Sequence, residues 1–112
     1  MRKRIILCDI DGTVTRVGDR AKYLSENPPN WDAFYAHCYE DEPVDEVIEL
    51  LEVLDEHFDI KFVTGRRESC RDITQKWFMD VSPKSNLAVR EMFMRPNGDH
   101  RHDTILKPEL VS

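Results

Sequence analysis

The sequence predicts an α/β domain in which helices cover a short, mainly parallel sheet. Short apolar runs alternate along the chain with amphipathic segments, which is the order expected of strands and their crossover helices. The runs do not alternate between apolar and polar residues, which is typical of parallel strands buried on both faces. Polar clusters at residues 9–13, 64–67 and 95–103 each follow one of these runs. The carboxyl ends of parallel strands share one sheet edge, so we expect the three clusters to form one site.

The first half of the chain predicts one strand and two helices. Residues 4–10 form a continuous apolar run, and residues 13–29 are polar with two adjacent prolines, which favours an irregular connection. Asn30 is a suitable N-cap for a short helix whose aromatic residues are spaced three and four apart. Pro43 fits the first position of a second helix. The apolar stripe of that helix consists of Val44, Val47, Ile48, Leu51, Leu54 and Phe58.

The second half predicts two more strands and two more helices. A second strand is expected at residues 60–63, followed by a helix at residues 68–79. Residues 87–94 are a third strand candidate with a mixed pattern, and residues 96–103 form a polar loop. A last helix is expected at residues 104–110. The order strand, helix, strand, helix, strand completes the prediction of a layered parallel sheet.

Length and composition indicate one soluble globular domain over residues 1–112. The chain is 40% hydrophobic and 34% charged, which is typical of a folded protein and not of a disordered one. Its apolar runs are far shorter than the ~18 residues of a membrane helix, so we expect no membrane association. The first run is also too short for a secretory signal. Three cysteines without CxxC spacing predict reduced thiols and a cytoplasmic location.

The net charge of −6 is unevenly distributed along the chain. Residues 1–25 and residues 60–112 each carry a net charge of +3, whereas residues 26–59 carry −12. An acidic protein is a poor candidate for coating nucleic acid, because that affinity comes from neutralising many phosphates. The two basic ends contain every candidate phosphate-binding residue, so the distribution favours recognition of a single phosphate group.

Asp9 and Asp11 are the strongest candidates for a chemical site. Side chains two apart at a strand end point in similar directions, and buried carboxylates that close repel each other unless a cation lies between them. Mg²⁺ suits such a pair because it takes one or two carboxylates together with phosphate oxygens. A carboxylate beside Mg²⁺ can attack phosphorus while a second acid handles the proton. The alternative is a loop of solvated acids in which Thr13 caps a turn.

Three motifs together resemble the haloacid dehalogenase (HAD) superfamily of phosphatases. The segment Asp9-Ile-Asp11-Gly-Thr is similar to the first motif, Thr64-Gly65-Arg66 is similar to the second, and Lys107 stands where the lysine of the third is expected. The resemblance is closer to the 3′-phosphatase domains of phage polynucleotide kinase-phosphatases, and it runs from residue 5 to about residue 110. The closer match is carried by Arg20, Trp31-Asp32-Ala33-Phe34, Arg66-Arg67-Glu68-Ser69, Lys76-Trp77, Gly98-Asp99, Arg101, Asp103 and Lys107.

The resemblance implies a HAD-like, Rossmann-like three-layer domain, a Mg²⁺ cofactor and roles for individual residues. Asp9 would be the nucleophile that becomes phosphorylated. Asp11 would be the general acid and would bind Mg²⁺ through its backbone carbonyl. Thr64 would hydrogen-bond a phosphoryl oxygen, and Lys107 would offset the charge on Asp9 and the phosphoryl group. The implied substrate is a phosphorylated nucleotide or nucleic-acid end, most specifically a 3′-phosphate.

Five further residues are predicted to bind the substrate or to hold the residues that do. Arg66 follows a strand, where its guanidinium could fork onto a phosphate, and Gly65 belongs to the same motif. Arg20 lies in the connection that covers the site in the family that the chain resembles. Arg101 and Asp103 belong to the polar loop, and Asp103 could position an arginine or the motif lysine. For each charged residue, the alternative is a solvated surface position.

An aromatic stripe follows the first motif and has two possible interpretations. Trp31, Phe34, Tyr35 and Tyr39 recur at helical spacing. Such a stripe is most often part of a hydrophobic core. It could instead form a lid that stacks a nucleobase, as aromatic side chains do in proteins that bind single-stranded nucleic acid.

The fourth HAD motif, one or two aspartates at the end of a further apolar strand, does not follow Lys107. We therefore expect a domain that is C-terminally truncated relative to the family, with its first strand at a sheet edge. Three explanations are open. The chain could bind its ligand without turnover, it could pair its first-strand edge with a second copy as a homo-oligomer, or Asp99 or Asp103 could replace the missing metal ligand.

The leading functional prediction is Mg²⁺-dependent hydrolysis of phosphomonoesters through an aspartyl-phosphate intermediate. A first alternative is a weakly active or inactive HAD-like domain that binds phosphate, metal or a protein partner. A second alternative is a phosphatase of small metabolites.

Overall fold

The computed structural model describes residues 4–111, which form a three-stranded parallel sheet with helices packed against it. The strands are β1 (Ile5–Cys8), β2 (Thr15–Arg16), β3 (Glu42–Pro43), β4 (Asp59–Arg67) and β5 (Met92–Arg95). The α-helices are α1 (Trp31–Ala36), α2 (Asp45–Leu54), α3 (Arg71–Val81) and α4 (Asp103–Leu110). Short 3₁₀ segments occupy Asp19–Ser25, Cys38–Glu40, Glu68–Cys70 and Leu87–Val89.

The main sheet has the strand order β1–β4–β5, and both pairs are parallel. Because both crossovers advance in the same direction and such connections are right-handed, α2 and α3 lie on the same face. Ile48 and Leu51 of α2 join Trp77 and Phe78 of α3 in one buried cluster with Phe62 of β4. The α/β prediction is confirmed, and α4 packs against β4 and β5.

Pro43 does not begin the second helix, and that part of the prediction is wrong. The residue lies in β3, which pairs antiparallel with β2, with Thr15 opposite Pro43. Val44 then donates its N–H to the carbonyl of Val14 over 2.8 Å, so the chain stays extended for one more residue. A proline is tolerated here because an edge strand does not need its N–H. Helix α2 begins at Asp45.

The second and third strands differ from the prediction at their ends. Strand β4 continues from Asp59 to Arg67, beyond the predicted residues 60–63, with a register shift against β5 between Val63 and Arg67. In the predicted strand at residues 87–94, Leu87–Val89 is instead a 3₁₀ turn, and β5 begins at Met92. The turn forms because Arg90 N–H bonds back to the Leu87 carbonyl over 3.2 Å.

Strand β1 lies at the edge of the described sheet and is not buried on both faces as predicted. Ile6 and Cys8 pack against the core cluster, whereas Ile5 and Leu7 remain 56% and 52% exposed. Among residues 4–111, no helix is long and apolar enough to cross a membrane. Cys8, Cys38 and Cys70 are free thiols.

Candidate active site

The three polar clusters that follow the parallel strands line one pocket. Its cavity has a volume of about 470 Å³ and opens beyond the carboxyl ends of β1, β4 and β5. Of the predicted site residues, the structure places six on its wall: Asp9, Asp11, Gly65, Arg101, Asp103 and Lys107. Thr64, Arg66 and Arg20 are buried and do not line it.

Asp9 is the accessible acid of the first motif. It follows β1 directly, and its side chain is 41% exposed. Lys107, from the middle of α4, donates to Asp9 Oδ1 over 2.9 Å. The Lys107 Nζ also lies 3.8 Å from Asp103 Oδ2, so this lysine stands between two carboxylates of the pocket. The arrangement places a cation beside the carboxylate that the family resemblance implies as the nucleophile.

A tight turn separates Asp9 and Asp11 from the strand that follows. The N–H groups of Val14 and Thr15 both bond to the carbonyl of Ile10, over 2.9 and 3.1 Å. Gly12 adopts a φ of 80°, which a residue with a side chain rarely takes. The turn follows β1 and directs the Asp11 side chain inward, toward Arg20 and Arg66.

Asp11, Arg20, Asp41 and Arg66 form what we call the buried cluster. Arg66 reaches Asp11 Oδ1 through its Nη2 over 2.8 Å, and Arg20 reaches the same oxygen through its own Nη2 over 2.8 Å. Arg20 also binds Asp41 through Nε over 2.7 Å. Arg66 completes the cycle with Asp41 Oδ2 over 3.3 Å. Two arginines and two aspartates thus neutralise each other beneath the pocket.

The buried cluster holds Asp11 in its ionised form. Burial alone would raise the pKa of Asp11, but the hydrogen bond and charge of Arg66 and the charge of Arg20 outweigh it, so the pKa is lowered. For Arg66, burial opposes the charge, but bonding to Asp11 raises its pKa. The side chain of Asp11 is still 28% exposed, so one part of the carboxylate faces the pocket.

Arg20 and Arg66 therefore do not take the positions that the sequence predicted for them. Their guanidinium groups were expected on substrate phosphate, whereas the structure places them on the carboxylates of Asp11 and Asp41. The sequence did not single out Asp41, because the segment before Pro43 looked like the start of a helix. Its neighbours are also acidic, so no sequence signal distinguished the one aspartate of this stretch that turns inward.

The second motif shapes the pocket through its backbone. Thr64 is fully buried, and its hydroxyl accepts from the N–H of Arg66 over 3.1 Å. A Cβ at Gly65 would lie 2.6 Å from Asp103 Oδ1, so the glycine leaves the room that the Asp103 carboxylate occupies. Its carbonyl accepts from Arg95 Nε over 2.9 Å and from the hydroxyl of Tyr35 over 3.2 Å. Gly65 thus connects α1, β5 and α4 at one point.

Arg95, Asp99, Arg101 and Asp103 form what we call the rim cluster. Arg95 Nη1 donates to the carbonyl of Asp99 over 3.1 Å, and its Nη2 pairs with Asp103. Arg101 Nη2 binds Asp99 over 2.8 Å and lowers the pKa of Asp99 to about 2. Arg101 Nη1 also binds Glu109 over 2.6 Å. The polar loop is ordered by these pairs across the mouth of the pocket.

The donor set of the pocket fits Mg²⁺, with the substrate and water supplying most ligands. Lys107 binds one carboxylate oxygen of Asp9, and the second is a hard oxygen donor of the kind that Mg²⁺ prefers. Arg66 Nε contacts both carboxylate oxygens of Asp11 over 3.2 Å, so the side chain of Asp11 fits poorly as a metal ligand. Within residues 4–111, no group of three His, Cys, Asp or Glu side chains is placed to hold a metal. Asp99 and Asp103 each pair with an arginine.

Comparison with known proteins identifies the family. Residues 3–112 match the family described as "Polynucleotide kinase PNKP phosphatase domain". A putative bifunctional polynucleotide kinase/RNA ligase of Autographa californica nuclear polyhedrosis virus is 30% identical over 111 residues, which are 97% of this chain and 14% of that protein.

Solved structures share the fold. A chain of the Pnkp1/Rnl/Hen1 complex superposes with a TM-score of 0.73 at 21% identity, over 98% of this chain and 33% of that one. The class C acid phosphatase of Bacillus anthracis, solved with tungstate bound, superposes with a TM-score of 0.69 at 21% identity, over 99% of this chain and 48% of that one. The chain thus spans less than half the length of each relative. The fold is the predicted HAD-like phosphatase fold, and the chain belongs to the polynucleotide kinase PNKP phosphatase-domain family.

Proposed function

We propose that the domain hydrolyses phosphomonoesters with Asp9 as the nucleophile. The observation that carries the proposal is the pairing of Asp9 with Lys107 in the open pocket. A carboxylate that attacks a phosphate dianion needs neighbouring positive charge, and Lys107 supplies it 2.9 Å from Asp9 Oδ1. Membership of a phosphatase-domain family supports the same reaction class.

The reaction would run in two displacements. A carboxylate oxygen of Asp9 attacks phosphorus, the ester P–O bond breaks, and Asp11 gives a proton to the departing alkoxide. A water molecule then attacks phosphorus of the aspartyl phosphate and loses a proton to Asp11. The bond between phosphorus and the Asp9 oxygen breaks, so phosphate leaves and the Asp9 carboxylate is restored. Lys107 and Thr64 are the proposed partners of the phosphoryl oxygens. Because Thr64 is fully buried and outside the pocket lining, its bond to a phosphoryl oxygen requires a local shift of β4 when substrate binds, and its hydroxyl can then donate.

Mg²⁺ is the proposed cofactor, held by a carboxylate oxygen of Asp9 and the backbone carbonyl of Asp11. When bound, it would neutralise charge on the phosphoryl oxygens. In the resting state the buried cluster lowers the pKa of Asp11, so its proton-donating form is the minor one at neutral pH. Arg20 and Arg66 would act by keeping Asp11 in place, with Asp41 as their common counter-ion.

The proposed substrate is a 3′-phosphate at a nucleotide or nucleic-acid end. The family description and the viral relative's name both refer to polynucleotide kinases, which supports an end of a polynucleotide over a small metabolite. One solved relative is named as part of an RNA repair complex. The rim cluster lies across the mouth of the pocket, and this arrangement favours binding of a single phosphorylated end over binding along a duplex.

Phosphate release tests this proposal. A 3′-phosphorylated oligonucleotide, its 5′-phosphorylated counterpart and glycerol phosphate are each incubated with the protein and Mg²⁺. We expect release mainly from the 3′ end, with loss of activity in EDTA and in Asp9→Asn. Preference for glycerol phosphate would favour the small-metabolite alternative. Absence of turnover on all three, by a folded protein with Mg²⁺, would defeat the proposal and favour a binding role.

We also propose that the edge of β1 pairs with a second copy of the chain. The exposed side chains of Ile5 and Leu7 lie on this edge strand, which pairs with β4 on its other side. Leu7→Lys should then lower the mass measured by light scattering at tens of micromolar without changing the circular dichroism spectrum. A monomeric wild-type mass in that range would contradict the pairing.

A further inference from the structure

The aromatic stripe after the first motif separates into a pocket wall and a remote part. Phe34 belongs to the wall but is only 8% exposed, with the Arg20 guanidinium 4.2 Å from its ring centre. Trp31 and Tyr35 line the pocket together with Asp9. Tyr39 lies elsewhere, where it bonds to Asp80 and has Lys76 Nζ 4.8 Å from its ring centre. Among these four aromatic residues, Trp31 is the most exposed, at 43%.

Trp31 and Tyr35 form an aromatic platform on the pocket side of α1. Their ring centres are 6.0 Å apart with planes 24° from parallel, and Trp31 meets Phe34 edge-on at 5.8 Å. Asn30 caps the helix by accepting from the N–H of Ala33 over 3.1 Å. The capped start of α1 and the contacts with Phe34 and Tyr35 place the Trp31 ring on the pocket wall.

Gly65 links this platform to the charged end of the pocket. Its carbonyl accepts from the Tyr35 hydroxyl and from Arg95, which in turn pairs with Asp103 near Lys107. The aromatic wall and the proposed phosphate site therefore share one anchoring residue. A ligand that contacts both would carry a flat apolar group as well as its phosphate.

A cation borders the platform. Arg67 lines the pocket, and its guanidinium lies 5.0 Å from the ring centre of Tyr35. Its Nη1 also binds Asp32 over 2.6 Å, a carboxylate whose side chain is 91% exposed. Stacked aromatic rings next to an arginine are the features on which proteins stack unpaired bases.

We propose that the Trp31–Tyr35 platform, bordered by Arg67, binds the base of the nucleotide whose phosphate lies at Asp9. This inference rests on the proposed function and adds a substrate class to it: unpaired ends that keep their terminal base. Stacking accepts any base, because each has a π face, so the platform selects for the presence of a base and not for its identity.

Two oligonucleotides that differ only in the terminal base test whether the platform binds that base. One oligonucleotide carries a terminal base next to its 3′-phosphate, and the other is abasic at that nucleotide. We expect wild-type kcat/KM to be higher for the base-containing end, and Trp31→Ala to lower the ratio of the two values about 5- to 100-fold, mainly through KM. Trp31→Phe should restore most of the ratio. Tyr39→Ala, a partly exposed aromatic residue outside the pocket, is the matched control and should leave the ratio unchanged.

Binding provides a readout that does not need turnover. In an Asp9→Asn background, adenosine 3′-monophosphate should quench the fluorescence of Trp31, and ribose 3-phosphate should not. The signal should disappear in Trp31→Phe, where the buried Trp77 remains. Equal kcat/KM for base-containing and abasic ends, or an equal loss for both in Trp31→Ala, would overturn the platform while leaving the phosphatase intact. Quenching without turnover of any substrate would instead defeat the phosphatase and keep the platform.

Discussion

The buried cluster beneath the pocket and the rim cluster at its mouth each combine arginines with aspartates, yet they differ in their surroundings. In the buried cluster, the side chains of Arg20, Arg66 and Asp41 are at most 2% exposed. In the rim cluster, Arg101 is 43% and Asp103 is 47% exposed, whereas Arg95 and Asp99 are 9% and 14% exposed. The contacts are of similar length, so geometry alone does not distinguish the two clusters.

This difference in burial should determine how much each ion pair contributes to stability. Removing one partner from a buried group of charges leaves another charge without water or a counter-ion, which is costly. An exposed pair exchanges protein contacts for water at little cost. The buried cluster should therefore determine stability and the position of Asp11, whereas the rim cluster should shape the mouth of the pocket.

Arg66→Met should give the largest loss of stability. The variant leaves Asp11 and Asp41 short of a counter-ion, and the free energy of unfolding should fall by about 3–5 kcal/mol. Its neighbour Arg67, whose partner Asp32 is exposed, is the matched control, and Arg67→Met should cost less than about 1 kcal/mol. Urea unfolding measures both. Equal losses in the two variants would remove the distinction between the clusters.

Asp41→Asn should give a smaller loss, because the amide keeps the shape of the side chain but not its charge. Hydrogen bonds to charged groups contribute about 1.5–3 kcal/mol, and we expect a loss in that range. The same variant should slow phosphate release, since Arg20 and Arg66 then hold Asp11 without their second carboxylate. A variant with unchanged stability and activity would show that Asp41 is not part of the functional cluster.

Acid should weaken the fold through Asp11. Its folded-state pKa is lowered below the ordinary value of 3.8. The stability gained from its ionised form is therefore complete above pH 3.8 and is lost as the pH falls through the lower, folded-state pKa. Asp11→Asn removes this titration, so its free energy of unfolding should depend less on pH below 3.8 than that of the wild type. Parallel pH curves for the two proteins would contradict the assignment.

Arg101→Gln should have the smallest effect. Arg101 contacts Asp99 and Glu109 at the surface of the polar loop, and both partners would be hydrated after the change. We expect no measurable shift in the urea midpoint, and only a modest rise in KM for a 3′-phosphorylated end. A destabilisation like that of Arg66→Met would mean that exposure does not distinguish the two clusters.

The sequence predicted the layout of the sheet and the convergence of its strand ends, because both follow from local periodicity and from the geometry of parallel strands. The strand ends and the motif resemblance together predicted that Asp9, Gly65 and Lys107 share one site, and all three line the pocket. The sequence could not predict the partners of Asp11, since hydrogen bonds from Arg20 and Arg66 depend on how three distant segments pack. The role of Asp41 could not be predicted for the same reason. The helix start predicted at Pro43 was wrong because the pairing of β2 with β3 is a long-range contact.

The most direct test of the account is the chemical fate of Asp9. The protein is mixed with Mg²⁺ and a 3′-phosphorylated oligonucleotide, quenched in acid within the first turnover, digested and analysed by mass spectrometry. We predict a phosphoryl group on the peptide that contains Asp9, and none in Asp9→Asn. Loss of phosphate from the oligonucleotide without any phosphoryl group on the Asp9 peptide, or turnover that persists in Asp9→Asn, would contradict the assignment of Asp9 as the nucleophile.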